Sequence, residues 1–164
     1  MAIRSIREEG DPVLTKKAKE IAEVTPRIRQ MTQDMLETMY DAGGVGLAAP
    51  QIGILKRLVV IDCSEERNEP VILVNPVILE TSGEQKGYEG CLSVPGKSGV
   101  VTRPSYVRVK AYNLDMEPIE LEGTELLARA FCHEIDHLDG HMYTELVEGE
   151  LVDNSELAEA EEQA

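Results

Sequence analysis

Residues 100–138 read VVTRPSYVRVKAYNLDMEPIELEGTELLARAFCHEIDHL, and this stretch combines strand patterns with a helix pattern. Residues 100–113 are rich in β-branched side chains, and apolar residues alternate with more polar ones from Val107 onward, as in a strand with one buried face. Residues 119–123 can pair back on that strand across a turn. Apolar residues then recur at helical spacing from about 124 to 138, and Gly140 follows as a stop signal. The stretch therefore predicts strands that lead into a helix.

The preceding residues add another helix and more strands. A helix is predicted from Pro26 to about Asp41, because Thr25 is a good N-cap and proline suits the first helical position. Segments 57–62 and 71–80 are also rich in β-branched residues and predict strands. The order helix, several strands, helix predicts an α+β fold with mixed or antiparallel sheets rather than an alternating βαβ fold.

Length and charge limit the classes of function. The chain has 164 residues and a mass of 18.1 kDa, which fits one domain. Its 16 basic and 31 acidic residues give a net charge of −15, which would repel a nucleic-acid backbone and argues against DNA binding. No apolar run approaches the length of a membrane span, and the N-terminus lacks a signal-peptide pattern. We therefore expect a cytoplasmic protein with free thiols, no membrane association and no second domain.

The sequence His133-Glu134-Ile135-Asp136-His137 falls within the second predicted helix. Residues four apart on a helix lie on one face, so both imidazoles can bind one metal ion. Glu134, beside the first histidine, can reach a metal-bound water. The alternative interpretation is a polar helix face on which the two histidines only form hydrogen bonds.

A third ligand distinguishes the metalloenzymes that share this pattern. The extended metzincin pattern requires histidine where this chain has Tyr143, so that interpretation fails. A downstream carboxylate would have to be Glu156 or Glu159, in an acidic segment with few apolar residues to hold it. Cys91, in Glu89-Gly90-Cys91-Leu92-Ser93, is the better candidate, because a thiolate and two imidazoles leave one coordination position open for water.

The other two cysteines and a glycine-rich stretch complete the set of candidates. Cys63 and Cys132 are expected to be buried structural thiols. The stretch 44–51, Gly-Val-Gly-Leu-Ala-Ala-Pro-Gln, is either a flexible connection or a backbone that approaches a ligand closely. Gln51 at its end offers a neutral amide donor, which suits an oxyanion or a carbonyl.

Together, Gly44-x-Gly46-x-Ala48-Ala49-x-Gln51, Glu89-Gly90-Cys91-x-Ser93 and His133-Glu134-x-x-His137 resemble the three motifs of the peptide deformylases, in the same order and at similar spacing. The resemblance covers most of residues 1–147. It implies one compact α+β domain in which the sheets surround a central metal-binding helix. It also implies removal of the formyl group from the N-terminal formyl-methionine of nascent proteins, with release of formate.

The resemblance assigns roles by motif position. One divalent metal ion is implied, natively Fe²⁺, with Zn²⁺, Ni²⁺ or Co²⁺ able to replace it. Glu134 would act as general acid and base when metal-bound hydroxide attacks the formyl carbon. Gln51 and the backbone N–H of Leu92 would face the oxyanion. The metal ligands would be Cys91, His133 and His137, and the substrate-binding residues Val45, Gly46, Glu89 and Gly90.

Further expectations concern the substrate pocket and the partners. An apolar pocket for the methionine side chain would draw on Val45, Leu126, Leu127 and Ala130. The substrates would be formyl-methionyl nascent peptides at the ribosome exit, and the enzyme is expected to be a monomer. Two alternatives remain at this point: a metallopeptidase of another class with a different third ligand, and a metal-binding homologue without turnover.

The C-terminal residues depart from many bacterial members of the family, which end in a longer helix of basic character. Residues 145–164 hold eight acidic residues and no lysine or arginine. We therefore divide the chain into a catalytic domain, 1–147, and a short acidic tail, 148–164. Its last ten residues, 155–164, are expected to be a short helix or a frayed segment, and the tail as a whole to contribute little to stability. The alternative interpretation is that the tail docks on the body or on a partner, with Leu151 and Val152 packed on the sheet.

Overall fold

A computed structural model describes residues 2–157 of the chain. Its helices and strands follow one another along the chain in this order: α1 (Pro26–Asp41), β1 (Gly46–Ala48), β2 (Leu58–Ile61), β3 (Val71–Ser82), β4 (Gln85–Cys91), β5 (Val94–Arg103), β6 (Tyr106–Tyr112), β7 (Pro118–Thr124), α2 (Glu125–Leu138) and β8 (Glu148–Asp153). The predicted α+β class is confirmed.

The strands form two sheets, and neighbouring strands in both are antiparallel. The larger sheet has the order β1-β2-β3-β6-β7, and the smaller has the order β4-β5-β8. β1 and β4 are therefore edge strands, each with one side free of strand partners in its sheet. This arrangement matters for the site, because both edges border the same cleft.

The larger sheet lies between the two helices. On β2, Val59 and Ile61 belong to the apolar cluster that includes α2, while Leu58 and Val60 belong to the cluster that includes α1. Both faces of β2 are thus buried, which explains its uninterrupted apolar sequence. On one face of this sheet, α2 packs across β1, β6 and β7, and these contacts fix its orientation.

The helix predictions agree closely with the structure. The side-chain oxygen of Thr25 accepts a hydrogen bond from the N–H of Ile28, as an N-cap should, and α1 spans Pro26–Asp41. Along α2, the buried residues include His133, Glu134 and His137. Buried polar side chains need hydrogen-bond partners or a function, so these three residues mark α2 as the helix that carries the candidate site.

The strand predictions differ from the structure at one boundary. Residues 100–113 do not form one strand, because Pro104 and Ser105 separate β5 from β6, and the two belong to different sheets. Proline has no N–H to donate to a sheet, which ends the pairing there. The short strand β1 lies within residues 44–51, for which the sequence allowed two interpretations, a flexible connection or a backbone that approaches a ligand closely.

The C-terminal residues also differ from expectation. Residues 148–153, predicted as the start of a solvated acidic tail, form β8 on the edge of β5. Leu151 of this strand packs against a third apolar cluster, which consists of Leu14, Val94, Val101, Met142 and Tyr143. The division after residue 147 therefore does not separate folded from unfolded chain. Residues 154–157 are helical, and the rest of the acidic segment lies outside the described residues. No helix in the described part of the chain has the length and apolar character needed to cross a membrane.

Candidate metal centre and its cleft

Three side chains that the sequence singled out converge at one point. Potential ligand atoms of Cys91, His133 and His137 all lie within 4.8 Å of one another, and no other group of this kind occurs within residues 2–157. The Sγ atom of Cys91 lies 3.3 Å from Nε2 of His137. One sulfur and two imidazole nitrogens at this separation can bind a single divalent cation.

The local structure explains the convergence. Positions 133 and 137 lie one turn apart on α2, and their ring centroids are 5.0 Å apart. Cys91 is the last residue of β4, where a tight turn leads to Val94 at the start of β5. The alternative ligand Glu156 is exposed and absent from the cluster, and Glu159 lies outside the described residues.

Glu89 connects the cluster to two arginines. Its carboxylate accepts hydrogen bonds from Nδ1 of His133 at 2.7 Å and from Nε and Nη2 of Arg103 at 3.0 and 2.6 Å. Nη1 of Arg129 adds a fourth hydrogen bond at 2.9 Å. Arg103 also pairs with Asp136 on α2, one residue before His137. The hydrogen bond between Nδ1 and Glu89 fixes the orientation of the His133 ring, so that Nε2 is the nitrogen available to a metal ion in the cluster.

The pKa values of the site follow from burial and from these partners. Burial alone would raise the pKa of Glu89, but hydrogen bonds from His133 and Arg103 lower it to about 2. Glu134 has no such donors, and burial raises its pKa to about 7. Burial lowers the pKa of His137 to about 3. Burial also acts to lower the pKa of His133, but nearby anions, first the Glu134 carboxylate, raise it well above its ordinary value.

Glu134 lies beside the cluster without a firm partner of its own. Its Oε2 atom is 3.9 Å from Nε2 of His133, and its buried Oε1 atom has no hydrogen-bond partner within the described residues. Its carboxylate is packed against Gly46 of β1. A buried carboxylate with a raised pKa and a free oxygen can accept and return a proton near neutral pH.

Gln51 is held in one orientation. Its Oε1 accepts a hydrogen bond from the backbone N–H of Ala48 at 2.9 Å. Its Nε2 therefore points the other way, 3.0 Å from Oγ of Ser93 and 3.5 Å from Sγ of Cys91. The amide donor therefore lies beside the thiol of Cys91.

A cleft of about 570 Å³ opens over the cluster. Most of the residues expected to bind the substrate or to face the oxyanion line it: Val45, Gly46, Gln51, Glu89, Gly90, Leu92, Leu126 and Ala130. Leu127 is the exception, because it lies on the side of α2 that packs against Gly123 and the apolar core. Assigning Leu127 to the pocket was therefore wrong. A one-residue step along a helix turns a side chain by about 100°, away from the cleft.

Neither arginine was predicted from the sequence to belong to the site. Arg129 lies four residues before His133 on the same helix, so helical spacing could have placed it beside that histidine. Arg103 gave no local signal, since it reaches Glu89 only through the pairing of β4 with β5. Tyr143, which stands where metzincins have a histidine, is buried with its ring centroid 5.8 Å from that of His133.

Comparison with known proteins decides between the remaining classes. A sequence model of the polypeptide deformylase family matches residues 3–151. The chain belongs to the peptide deformylase family. Peptide deformylases are metalloenzymes that remove the N-terminal formyl group from nascent proteins, so this chain is a hydrolase that acts on such chains.

Relatives of this peptide deformylase match it over most or all of their length. The peptide deformylase of Lachnoclostridium phytofermentans is 64% identical over 99% of this chain and 100% of its own. The solved peptide deformylase of Legionella pneumophila is 44% identical, with a TM-score of 0.87 over 90% of this chain and 87% of its own. That of Synechococcus elongatus, in complex with actinonin, is 41% identical, with a TM-score of 0.84 over 96% of this chain and 84% of its own.

Proposed function

We propose that this deformylase hydrolyses the formyl amide with a divalent cation held by Cys91, His133 and His137 and with Glu134 as general acid and base. The observation that carries the proposal is the convergence of one thiol and two imidazoles beside a buried carboxylate that has a free oxygen. A metal-binding homologue without turnover would need neither that carboxylate nor the oriented Gln51 amide.

The donor set fits a borderline or soft divalent ion. A thiolate and two imidazoles suit Fe²⁺, Zn²⁺, Ni²⁺ or Co²⁺ better than Mg²⁺ or Ca²⁺, and we propose Fe²⁺ as the native ion. When bound, the cation supplies Lewis acidity, which lowers the pKa of water from 15.7 toward ~7 and polarises a carbonyl. Glu89 supports this role by fixing the tautomer of His133.

The remaining groups handle the proton and the developing charge. Glu134 takes the proton of the attacking water and returns it to the amine that leaves the formyl carbon. The Nε2 amide of Gln51 and the N–H of Leu92 donate to the oxyanion, and one such donor contributes ~3–4 kcal/mol to transition-state stabilisation. The products are formate and a peptide with a free N-terminal methionine.

The free edges of two sheets support the binding of an extended peptide. β1 is an edge strand of the larger sheet and β4 is an edge strand of the smaller one, and both border the cleft. A peptide can add to such an edge as a further strand, so we propose that it pairs with the backbone at Val45 and Gly46 on one side and at Gly90 on the other. Val45, Leu126 and Ala130 then surround the methionine side chain.

We further propose that the enzyme meets its substrates in the cytoplasm, as a monomer, where nascent chains leave the ribosome. Its net charge of −15 opposes direct contact with ribosomal RNA. The nascent peptide itself would therefore supply most of the attraction to the cleft.

Metal analysis combined with a formate-release assay tests the proposal. Protein prepared without oxygen should bind one divalent ion per chain and release formate from formyl-Met-Ala-Ser. It should not cleave the Met-Ala bond of the same peptide. Cleavage of that bond without formate release would instead indicate a metallopeptidase of another class.

The identity of the ion needs its own test. A thiolate beside Fe²⁺ is open to oxidation where the site admits small molecules. The Fe²⁺ form should lose activity in air within a time over which the Ni²⁺ form remains active. Equal decay of both forms would exclude oxidation at the metal and thiolate as the cause of inactivation.

A further inference from the structure

The C-terminal segment of the chain reaches the cleft. Asn154, the residue after β8, lines the same cleft as Glu134 and Cys91. So do Pro95, Gly96 and Lys97, at the start of β5. No motif residue lies this far along the chain, and the sequence favoured a solvated tail over a docked segment.

Pairing with β5 fixes this segment in place. Lys97 and Ser98 pair with Asp153 and Val152 of β8, and the ammonium of Lys97 lies 2.7 Å from the carboxylate of Asp153. Apolar packing adds to the pairing, because a Cβ atom on Gly99 would lie 2.6–3.1 Å from atoms of two hydrophobic side chains, those of Val147 and Leu151. The backbone that carries Asn154 is therefore anchored to the sheet that carries Cys91.

The amide of Asn154 has a defined orientation. Its Oδ1 accepts a hydrogen bond of 2.6 Å from the hydroxyl of Ser98. Ser98 lies over Gly90, since a Cβ atom on Gly90 would be 3.3 Å from Oγ. The Nδ2 group of Asn154 then points away from Ser98, and no acceptor within the described residues binds it. Asn154 therefore presents a free amide donor at the rim of the cleft. Its hydrogen bond to Ser98, which lies over Gly90, holds it close to the edge strand β4.

We infer that Asn154 donates a hydrogen bond from Nδ2 to a backbone carbonyl of the substrate downstream of the formyl-methionine, and so determines a preference for longer peptides. The inference rests on the proposed function and extends it. Backbone carbonyls occur in every peptide, so the contact selects for length rather than for sequence. A contact downstream of the formyl-methionine does not touch the carbonyl that reacts.

A peptide-length series tests the inference. Formate release is measured for formyl-Met-Ala and for a tetrapeptide that begins formyl-Met-Ala-Ser, with wild type, Asn154→Ala and Asn154→Asp. The aspartate keeps the acceptor for Ser98 but removes the donor. Both variants should lower the ratio of kcat/KM for the tetrapeptide to that for the dipeptide by ~3- to 10-fold. Asn68→Ala, an exposed asparagine outside the cleft, is the matched control and should leave the ratio unchanged.

Other outcomes overturn the inference. An unchanged ratio in Asn154→Asp, with folding confirmed by circular dichroism, would exclude the donor role. An equal fall for both peptides would show a structural effect on the whole cleft instead. Absence of formate release by metallated wild type with either peptide would overturn the proposed function itself, and this inference with it.

Discussion

The carboxylate of Glu134 lies directly against the backbone of Gly46, so close that a Cβ atom on Gly46 would be 2.5 Å from Oε2 and 2.9 Å from Cδ. The two residues come from α2 and β1, which are far apart in the chain. The absence of a side chain at position 46 therefore gives Glu134 its place beside the candidate metal centre.

The first prediction tests this contact. Gly46→Ala should displace the Glu134 carboxylate while leaving the metal ligands in place, because Glu134 and not a ligand occupies the space. We expect kcat to fall by ~10- to 10²-fold, the effect of misplacing a catalytic group by about 1 Å. Gly87→Ala is the control, since its Cβ would meet only Arg129 at 3.7 Å. Gly46→Ala activity within twofold of wild type would contradict the proposed role of the contact.

The second prediction concerns the proton. Glu134→Gln keeps the size of the side chain but cannot accept a proton, so kcat should fall by at least ~10²-fold while metal stays bound. Glu145→Gln, an exposed glutamate on the surface, should leave kcat unchanged. Metal content is measured alongside formate release. If Glu134→Gln retains activity within a few-fold of wild type, another group carries the proton.

The third prediction separates the three cysteines. Cys91→Ala should lose metal and activity together, since it removes one of three candidate ligands. Burial raises the pKa of both Cys63 and Cys132 to about 11, and within residues 2–157 neither thiol belongs to a group of potential metal ligands. Their alanine variants should retain one metal ion per chain, at a modest loss of stability. A fully metallated Cys91→Ala protein would show that the site uses another third ligand.

The fourth prediction concerns β8. Truncation after Gly149 removes most of this strand, including Leu151, and should lower Tm by ~4–8 °C, which corresponds to ~2 kcal/mol at this size. Truncation after Leu157 keeps β8 and should leave Tm unchanged. Thermal unfolding followed by circular dichroism compares the two. Equal Tm values for both truncations would restore the interpretation of residues 148–153 as a dispensable tail.

The fifth prediction concerns a buried carboxylate that links α1 to β2. Burial acts to raise the pKa of Asp62. Hydrogen bonds from the hydroxyls of Ser64 and Tyr40 and from the backbone N–H groups of Ser64 and Glu69 instead lower it to about 2. Tyr40→Phe removes one of these donors, at 2.6 Å, and should reduce the free energy of unfolding by ~1.5–3 kcal/mol at pH 7.

The pH dependence of that loss follows from the lowered pKa. The contribution of ionised Asp62 is complete above the unfolded pKa of about 4 and disappears as pH falls toward about 2. The stability difference between wild type and Tyr40→Phe should therefore shrink below about pH 4 in urea unfolding experiments. A stability difference that stays constant over this pH range would mean that the Tyr40 hydroxyl stabilises the fold through a group other than the Asp62 carboxylate.

Much of the site could be predicted without a structure, because the signals are local. Helical spacing alone places His133 and His137 on one face with Glu134 between them, and the N-cap pattern at Thr25 gave the start of α1. Cys91 followed from the chemistry of a third ligand. The two helix predictions depend on residues within a few positions of one another, where backbone geometry fixes which side chains meet, whereas Cys91 was assigned from its chemistry and its motif.

The tertiary structure alone decided the rest. Arg103 reaches Glu89 only because β4 and β5 pair in this register. Leu127 lies outside the cleft because the orientation of α2 on the sheet turns this side chain toward Gly123 and the core. β8 owes its strand conformation to β5 rather than to its own acidic sequence. In each case the partner lies far along the chain, so the free energy that selects the conformation comes from packing and pairing that no local pattern encodes.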